Sequence, residues 1–267
     1  MAVVTVLVSL AVAMVVPMAL ARAPAFNNGS LKGSYGFQLP RWTSDSTQNA
    51  QVIIGVMTFD GVGNVRGSFT VNSAGTVTTG TLSGTYAVNA NGTGSTSFRT
   101  SDGGGATLAL AIDAASKNLQ LLQTKCTSGP CVGNYVASGT AVAQALSSCS
   151  KASIKGGFGF LISKWTPDPA QLAQSVLGIA TFDGLGNVKV SETVNQAGTV
   201  VTVKLSGSYS VNSDCTGSYA LKDLKGNEYD GVSVAIASGK GLLLMDTKKP
   251  CGSSCGNIVT SGTATHQ

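Results

Sequence analysis

Alternation of period two dominates this chain. Val65, Gly67, Phe69 and Val71 fall on one face of an extended segment, with Arg66, Ser68 and Thr70 on the other. Leu82, Gly84, Tyr86 and Val88 oppose Ser83, Thr85 and Ala87 in the same way. A period of two is that of a half-buried strand. Turn signals rich in Gly, Asn and Asp divide the first half into eight strands, centred on 32–40, 51–59, 64–71, 79–88, 93–100, 106–112, 118–124 and 133–142. Eight antiparallel neighbours in succession predict an all-β, up-and-down barrel, because closure removes the exposed edges. A β-sandwich is the alternative. A sixteen-stranded outer-membrane barrel ranks third: it needs aromatic girdles, and aromatics are only 6% of the chain.

The whole pattern occurs twice. Leu31-Lys32-Gly33-Ser34-Tyr35-Gly36-Phe37 returns as Ile154-Lys155-Gly156-Gly157-Phe158-Gly159-Phe160, and Phe59-Asp60-Gly61-Val62-Gly63-Asn64-Val65 as Phe182-Asp183-Gly184-Leu185-Gly186-Asn187-Val188. Leu82 to Tyr86 returns as Leu205 to Tyr209, and Val136 to Ala141 as Val259 to Ala264, always at an offset of 123 residues. This is a tandem duplication. The domains expected are a signal peptide at 1–21, one barrel at 27–145 and a second at 149–267. Each copy is expected to fold alone.

One segment departs from the alternation. Ala2 to Leu20 carries no charge and is almost wholly apolar, and Ala19-Leu20-Ala21 offers a small-x-small cleavage site. These are the marks of an export signal removed after Ala21, or after Ala23, with a retained membrane anchor as the alternative. The expected location is secreted, periplasmic or at the cell surface, without membrane insertion after cleavage.

Composition narrows the chemistry. Charged residues are 11% of the chain, Glu occurs only at 192 and 228, and the one His is His266. Histidine-based triads and histidine-rich metal sites are thereby disfavoured. The net charge is +5 with scattered Lys and Arg, which is no nucleic-acid footprint. The six cysteines of an exported chain imply disulfides. Cys126 with Cys131, and Cys251 with Cys255, can each close a small loop between strands seven and eight of its copy. That leaves Cys149 with Cys215, and parity agrees: in an up-and-down barrel the start of strand one lies at the same end as the turn between strands four and five. A zinc reading lacks the companion ligands that C-x4-C and C-x3-C would need.

Small exported barrels opening on Gly-x-aromatic resemble the calycin type, the lipocalins and avidins. Gly33-Ser34-Tyr35 and Gly156-Gly157-Phe158 stand where those families carry Gly-x-Trp, with Tyr or Phe in place of Trp. Leu82-Ser83-Gly84-Thr85-Tyr86 is similar to an avidin strand. The tandem pattern also resembles exported bacterial repeat proteins. The resemblance implies a barrel whose mouth admits a ligand, and supplies no substrate.

Three features could carry chemistry. Asp60 to Asn64 and Asp183 to Asn187 could suggest calcium, but Asp-Gly and Gly-Asn are ordinary hairpin residues and the alternating ligands of a calcium loop are missing. The connection between strands one and two keeps W-T-x-D-x-x-Q-x-A-Q in both copies. It places Trp42, Asp45, Gln48 and Gln51, with their twins Trp165, Asp168, Gln171 and Gln174, at one barrel mouth as candidate ligand-binding residues. As a lid, Trp would stack on a ligand while Asp and Gln bond it. As a plug, the weightier reading, the same residues would seal the barrel. Glu192 takes the place of Phe69, in line with Val188, Val190 and Val194. Facing inward it would be desolvated and its pKa raised; facing outward, or standing at the mouth, the preferred reading, it would be solvated.

No catalytic residue, metal ligand set or cofactor motif emerges. The leading expectation is a non-enzymatic exported protein binding a small apolar or amphipathic ligand, or a glycan, in a barrel mouth. A structural or adhesive envelope module with filled barrels is the alternative, and a barrel-cavity isomerase or cyclase the third. An interior cavity above roughly 300 Å³ would favour binding.

Overall fold

The computed structural model describes residues 25–43, 50–128, 135–165, 173–248 and 258–267. The apolar segment 1–21 lies outside these residues, as do Asp45, Gln48, Asp168, Gln171, Cys131, Cys251 and Cys255. Among the described residues no helix is long and apolar enough to cross a membrane.

Sixteen strands form two closed antiparallel barrels. The first holds β1 (Lys32–Thr43), β2 (Ala50–Asp60), β3 (Asn64–Ser73), β4 (Thr76–Val88), β5 (Thr93–Thr100), β6 (Gly105–Ile112), β7 (Asn118–Ser128) and β8 (Tyr135–Ala143). The second holds β9 (Lys155–Trp165), β10 (Gln174–Asp183), β11 (Asn187–Gln196), β12 (Thr199–Val211), β13 (Thr216–Asp223), β14 (Glu228–Ile236), β15 (Gly241–Lys248) and β16 (Val259–His266). Each strand pairs with its neighbour in sequence. Closure comes from β1 on β8, with Tyr35 opposite Ala143, and from β9 on β16, with Phe158 opposite His266.

The hairpin chemistry is as the sequence implies. Asp60 Oδ1 accepts the backbone N–H groups of Val62, Gly63 and Asn64 at 2.8–3.0 Å, and the Asn64 amide donates to Asp60 Oδ2 at 2.6 Å. Asp183 repeats this network on Leu185, Gly186 and Asn187. These donated bonds, the Asn64 side chain first, hold the Asp60 carboxyl at a pKa of about 2. The carboxylates serve as turn acceptors.

One end of each barrel is closed by aromatic rings packed edge to face. In the first, Phe59 stacks between Tyr35 and Tyr86, at 5.5 and 4.9 Å between centroids. In the second, Phe158, Phe182 and Tyr209 form the equivalent set, and His266 adds a further edge on Phe158 at 5.0 Å. Tyr209 donates to the carbonyls of Lys151 and Ile154, so the short 3-10 turn Lys151–Ser153 is fastened across this end. Cys149 and Cys215 form a disulfide there. The first barrel has Phe26 and Gly92 at these positions, and a Cβ on Gly92 would meet the Phe26 ring at 3.0 Å. An aromatic contact thus stands where the second barrel has a covalent one. Cys126 is also disulfide-bonded.

The barrels are packed on each other. Ala50, Val52, Ile54 and Val56, on the outer face of β2, form one buried cluster with Val234, Leu243, Met245 and Val259 of the second barrel. Gly36 is required here: a Cβ would come within 2.6 Å of Val234 and Ile236 side-chain carbons. Three amides rim the contact. Gln38 donates to the carbonyls of Leu244 (2.8 Å) and Gly262 (3.4 Å), Asn72 to Asp246 (2.9 Å) and Ile258 (3.5 Å), and Gln144 to Asp214 (3.1 Å) and Ala235 (3.2 Å). The expectation of two self-sufficient copies is thereby qualified, because the outer face of β2 is core rather than surface.

Candidate functional site

The two interiors differ although their strands superpose residue for residue in register. In the first barrel, inward positions carry Phe37, Leu39, Met57, Phe59, Phe69 and Leu82, all buried. Near the mouth Arg41 is 7% exposed, and its guanidinium lies 4.9 Å from the centre of the Tyr135 ring. Arg41 Nε donates to Gln51 Oε1 at 2.5 Å, and the Gln51 amide donates to Ser73 Oγ and Tyr135 Oη at 2.9 and 3.0 Å. Burial lowers the Arg41 pKa, partly opposed by Tyr135 and Asp102. Among the described residues, Arg41 and Gln51 are thus bonded to neutral side chains.

In the second barrel Ala180 replaces Met57 and Glu192 replaces Phe69, which removes two large apolar side chains from the centre. A cavity of about 60 Å³ results. Its apolar wall includes Phe160, Val190, Leu205 and Leu244, and its polar wall is Lys164, Glu192, Tyr219, Tyr229 and Asp246. The space suits about two water molecules, well under the roughly 300 Å³ of a typical ligand pocket. Gly178 permits the close approach of β9 and β11 here, since a Cβ would meet the Phe160 ring at 2.7 Å and Glu192 Cα at 2.9 Å.

The polar wall is a connected set. Lys164 Nζ lies 3.1 Å from Asp246 Oδ2, with side-chain exposures of 14% and 17%. Tyr219 donates to Asp246 Oδ1 at 2.6 Å, and the Asp246 N–H donates to Thr260 Oγ1 at 2.6 Å. The ammonium also lies 5.9 Å from the centre of the Tyr229 ring. Burial works against the charge on Lys164, yet Asp246 and then Glu192 outweigh it and its pKa is raised. Burial, then Asp246, pushes the Tyr219 hydroxyl well above its ordinary value. Glu192 differs from the rest. It points inward, contrary to the preferred sequence reading, and has no hydrogen bond or ion pair among the described residues. Burial raises its pKa, Lys164 lowers it in part, and Asp246 adds to the rise. The site presents a neutralised Lys–Asp pair, two phenols and one carboxylate with unused acceptor capacity beside an apolar wall.

Of the residues expected from the mouth motif, Trp42, Gln51, Trp165 and Gln174 lie among the described residues. Gln51 is buried in the Arg41 network of the first barrel, and Gln174 holds the equivalent inward position on β10. Trp42 shares the outward alternation of Gly36 and Gln38 on β1 and is 44% exposed. Trp165 ends β9, its backbone paired with Val259. Lys164, Tyr219, Tyr229 and Asp246 were not anticipated, because they lie on four separate strands with no local motif. Comparison of inward positions at the offset of 123 would have found them, since they replace Arg41, Thr96, Ala106 and Gln123. A separate groove of about 410 Å³ runs between the barrels, lined by Ser68, Thr70, Thr79, Thr81, Thr216 and Ser218 among others. It offers hydroxyls and amides but no ionised side chain.

No protein-family model matches the chain, and no curated protein matches its sequence. Among solved structures it is similar to kievitone hydratase from Nectria haematococca, at 8% identity over 91% of this chain and 93% of that one, with a TM-score of 0.27. It is similar to a DUF3598-family protein from Nostoc punctiforme at 10% identity, over 89% and 97% of the two chains, with a TM-score of 0.26. It is similar to intact Ap-TbpB, with its N and C lobes, at 7% identity over 91% and 79%, also with a TM-score of 0.26.

Proposed function

We propose that this chain is an exported, non-enzymatic binding protein. Its second barrel holds a small amphipathic ligand, and its first is a filled structural partner. The reading rests on one observation: Met57 and Phe69 give way to Ala180 and Glu192, placing a half-buried carboxylate with spare acceptor capacity on a small cavity with an apolar wall. A carboxylate facing apolar space gains from a donor held there, because a charge-assisted hydrogen bond is stronger away from bulk water. A ligand with a cationic or hydrogen-bond-donating head would satisfy Glu192 while its apolar part lies along Phe160 and Leu205. The cavity volume restricts the buried head to a few heavy atoms, with the remainder toward the mouth where Lys164 and Tyr229 stand. Export is supported by the Cys149–Cys215 bridge and by the apolar segment Ala2 to Leu20.

The test is a thermal-shift and calorimetric series with n-alkylamines of four to eight carbons, with n-alkanols and n-alkanoates as controls. The amines are expected to raise the melting temperature of the native chain. Glu192→Gln should weaken them about tenfold or more, the loss of a charge-assisted hydrogen bond. Ala180→Met with Glu192→Phe, which rebuilds the first barrel's interior, should abolish binding. A second reading, a structural envelope module, is favoured by the filled first barrel and the small cavity. It prevails if no probe binds and the refilled variant simply melts higher.

A further inference from the structure

The contact between the barrels is heterologous: the outer face of β1–β2 in copy one meets the outer face of β14–β16 in copy two. In a tandem repeat such a contact leaves two equivalent surfaces unused, β9–β10 at one end of the molecule and β6–β8 at the other. Both are present and exposed. On β9–β10, Leu161, Leu177 and Ile179 are 54, 64 and 45% exposed, in the places of Gln38, Ile54 and Val56. On β7–β8, Leu122 and Val136 are 50 and 47% exposed, in the places of Met245 and Val259.

We infer that the β9–β10 face of one molecule docks on the β6–β8 face of a second copy, repeating between molecules the contact made within each. Three docking positions are unchanged in copy two, where among the described residues no element of the other barrel meets them and only the side chain of Gln267 lies along Gly159. Gly36 recurs as Gly159, Asn72 as Asn195 and Gln144 as Gln267. Asn195 accepts from its own turn at Gly198 as Asn72 does from Gly75, and its side chain is exposed. Gln267 is held by the same backbone bond, its N–H to Gly157 matching Gln144 to Ser34, and is exposed with no side-chain hydrogen bond among the described residues. The acceptors of the internal contact are main-chain carbonyls, so the equivalent carbonyls of copy one serve whatever their side chains. Side-chain sizes also compensate. The β9–β10 face is bulkier at Leu161 and Ile179, while the face it meets is slimmer, with Ala109 and Ala111 in place of Val232 and Val234. Gln120 in place of Leu243, Ser175 in place of Val52 and Asp113 in place of Ile236 make this contact more polar than the internal one, as suits an assembly that reverses. Closed barrels have no strand edges to offer, so association must use faces. A heterologous contact closes into a ring or extends as a chain.

The test is sedimentation of the full chain across a wide concentration range. Mass is expected to rise with concentration beyond the dimer or to settle at a closed ring. Leu177→Asp and Leu122→Asp should each weaken association about tenfold or more, because each buries an unpaired charge. Mixing the two should restore a dimer and nothing larger, since each variant keeps one intact face. Geometry is checked by single-cysteine variants Ser175→Cys and Gln120→Cys with a short bismaleimide. The internal cluster that holds Val52 with Leu243 predicts cross-linking between the two variants and not within either alone. A chain monomeric at every concentration overturns the inference. So does association lost in Leu177→Asp but untouched in Leu122→Asp, which would mean a symmetric contact of β9–β10 with itself.

Discussion

The first barrel is closed by bulk and the second by charge. At the same inward positions, Met57 and Phe69 fill the one while Ala180 and Glu192 open the other. The buried cation Arg41 rests on a phenol and an amide in the first; in the second, Lys164 is neutralised by Asp246 within a set of five polar side chains. The strand register is the same in both, so the difference lives wholly in side chains. A barrel of eight strands has an interior about as wide as the side chains that fill it. Exchanges at a few inward positions therefore suffice to open a cavity of about 60 Å³ in an otherwise equivalent barrel.

The contrast can be broken at its strongest point first. The Cys149–Cys215 bridge has a sequence separation of 66, and a loop of that length is worth about 4 kcal/mol by chain entropy. Cys149→Ser with Cys215→Ser should cost the second barrel about that much in guanidinium unfolding. Phe26→Ala, at the matching place in the first, removes only a partly buried ring and should cost about 1–2 kcal/mol. Next come the cations. Lys164→Met leaves Asp246 and Glu192 facing each other without a counter-charge and should cost about 3 kcal/mol. Arg41→Met leaves only a neutral amide short of a donor, about 1 kcal/mol. Equal losses would mean that the two mouths are built alike after all.

The smallest effect is the most specific. The folded pKa of Glu192 is raised, so its contribution to stability is fully present below the unfolded carboxyl value and is lost as pH rises through the folded one. The second barrel should accordingly gain stability as pH falls from neutral toward the ordinary carboxyl range, and Glu192→Gln should flatten that gain. Asp60 and its kind act oppositely. Their lowered pKa values supply stability above the ordinary carboxyl range that is lost as pH falls toward about 2. Melting curves at stepped pH, with and without the substitution, separate the two.

Much of this architecture is legible in the sequence, because a period of two with Gly and Asn turns leaves few alternatives. The parity that paired Cys149 with Cys215 is the same parity that closes the barrel. Residues on separate strands are harder to see. Lys164 and Asp246 belong to one site only through β9 and β15, which are not neighbours in the barrel. The same alternation could have warned that Trp42, one step from Arg41, faces outward. The contact between barrels had a signal too: Val52 to Met57 is apolar at successive positions, which is how a strand buried on both faces reads.

That strand has a consequence for the life of the chain before it is folded. Val52-Ile53-Ile54-Gly55-Val56-Met57 has no charge and no proline, and most of it has high β-propensity. Such six-residue segments stack into cross-β aggregates when left uncovered. Natural edge strands interrupt such runs with charged gatekeepers, but here one face fills the first barrel and the other meets Val234 and Met245, leaving no room for one. The second barrel therefore covers the outer face of the one strand of the first that has no room for a gatekeeper. A chain interrupted between Gln144 and Cys149, by proteolysis or by arrested synthesis, would present this strand's outer face to any other copy in the same state.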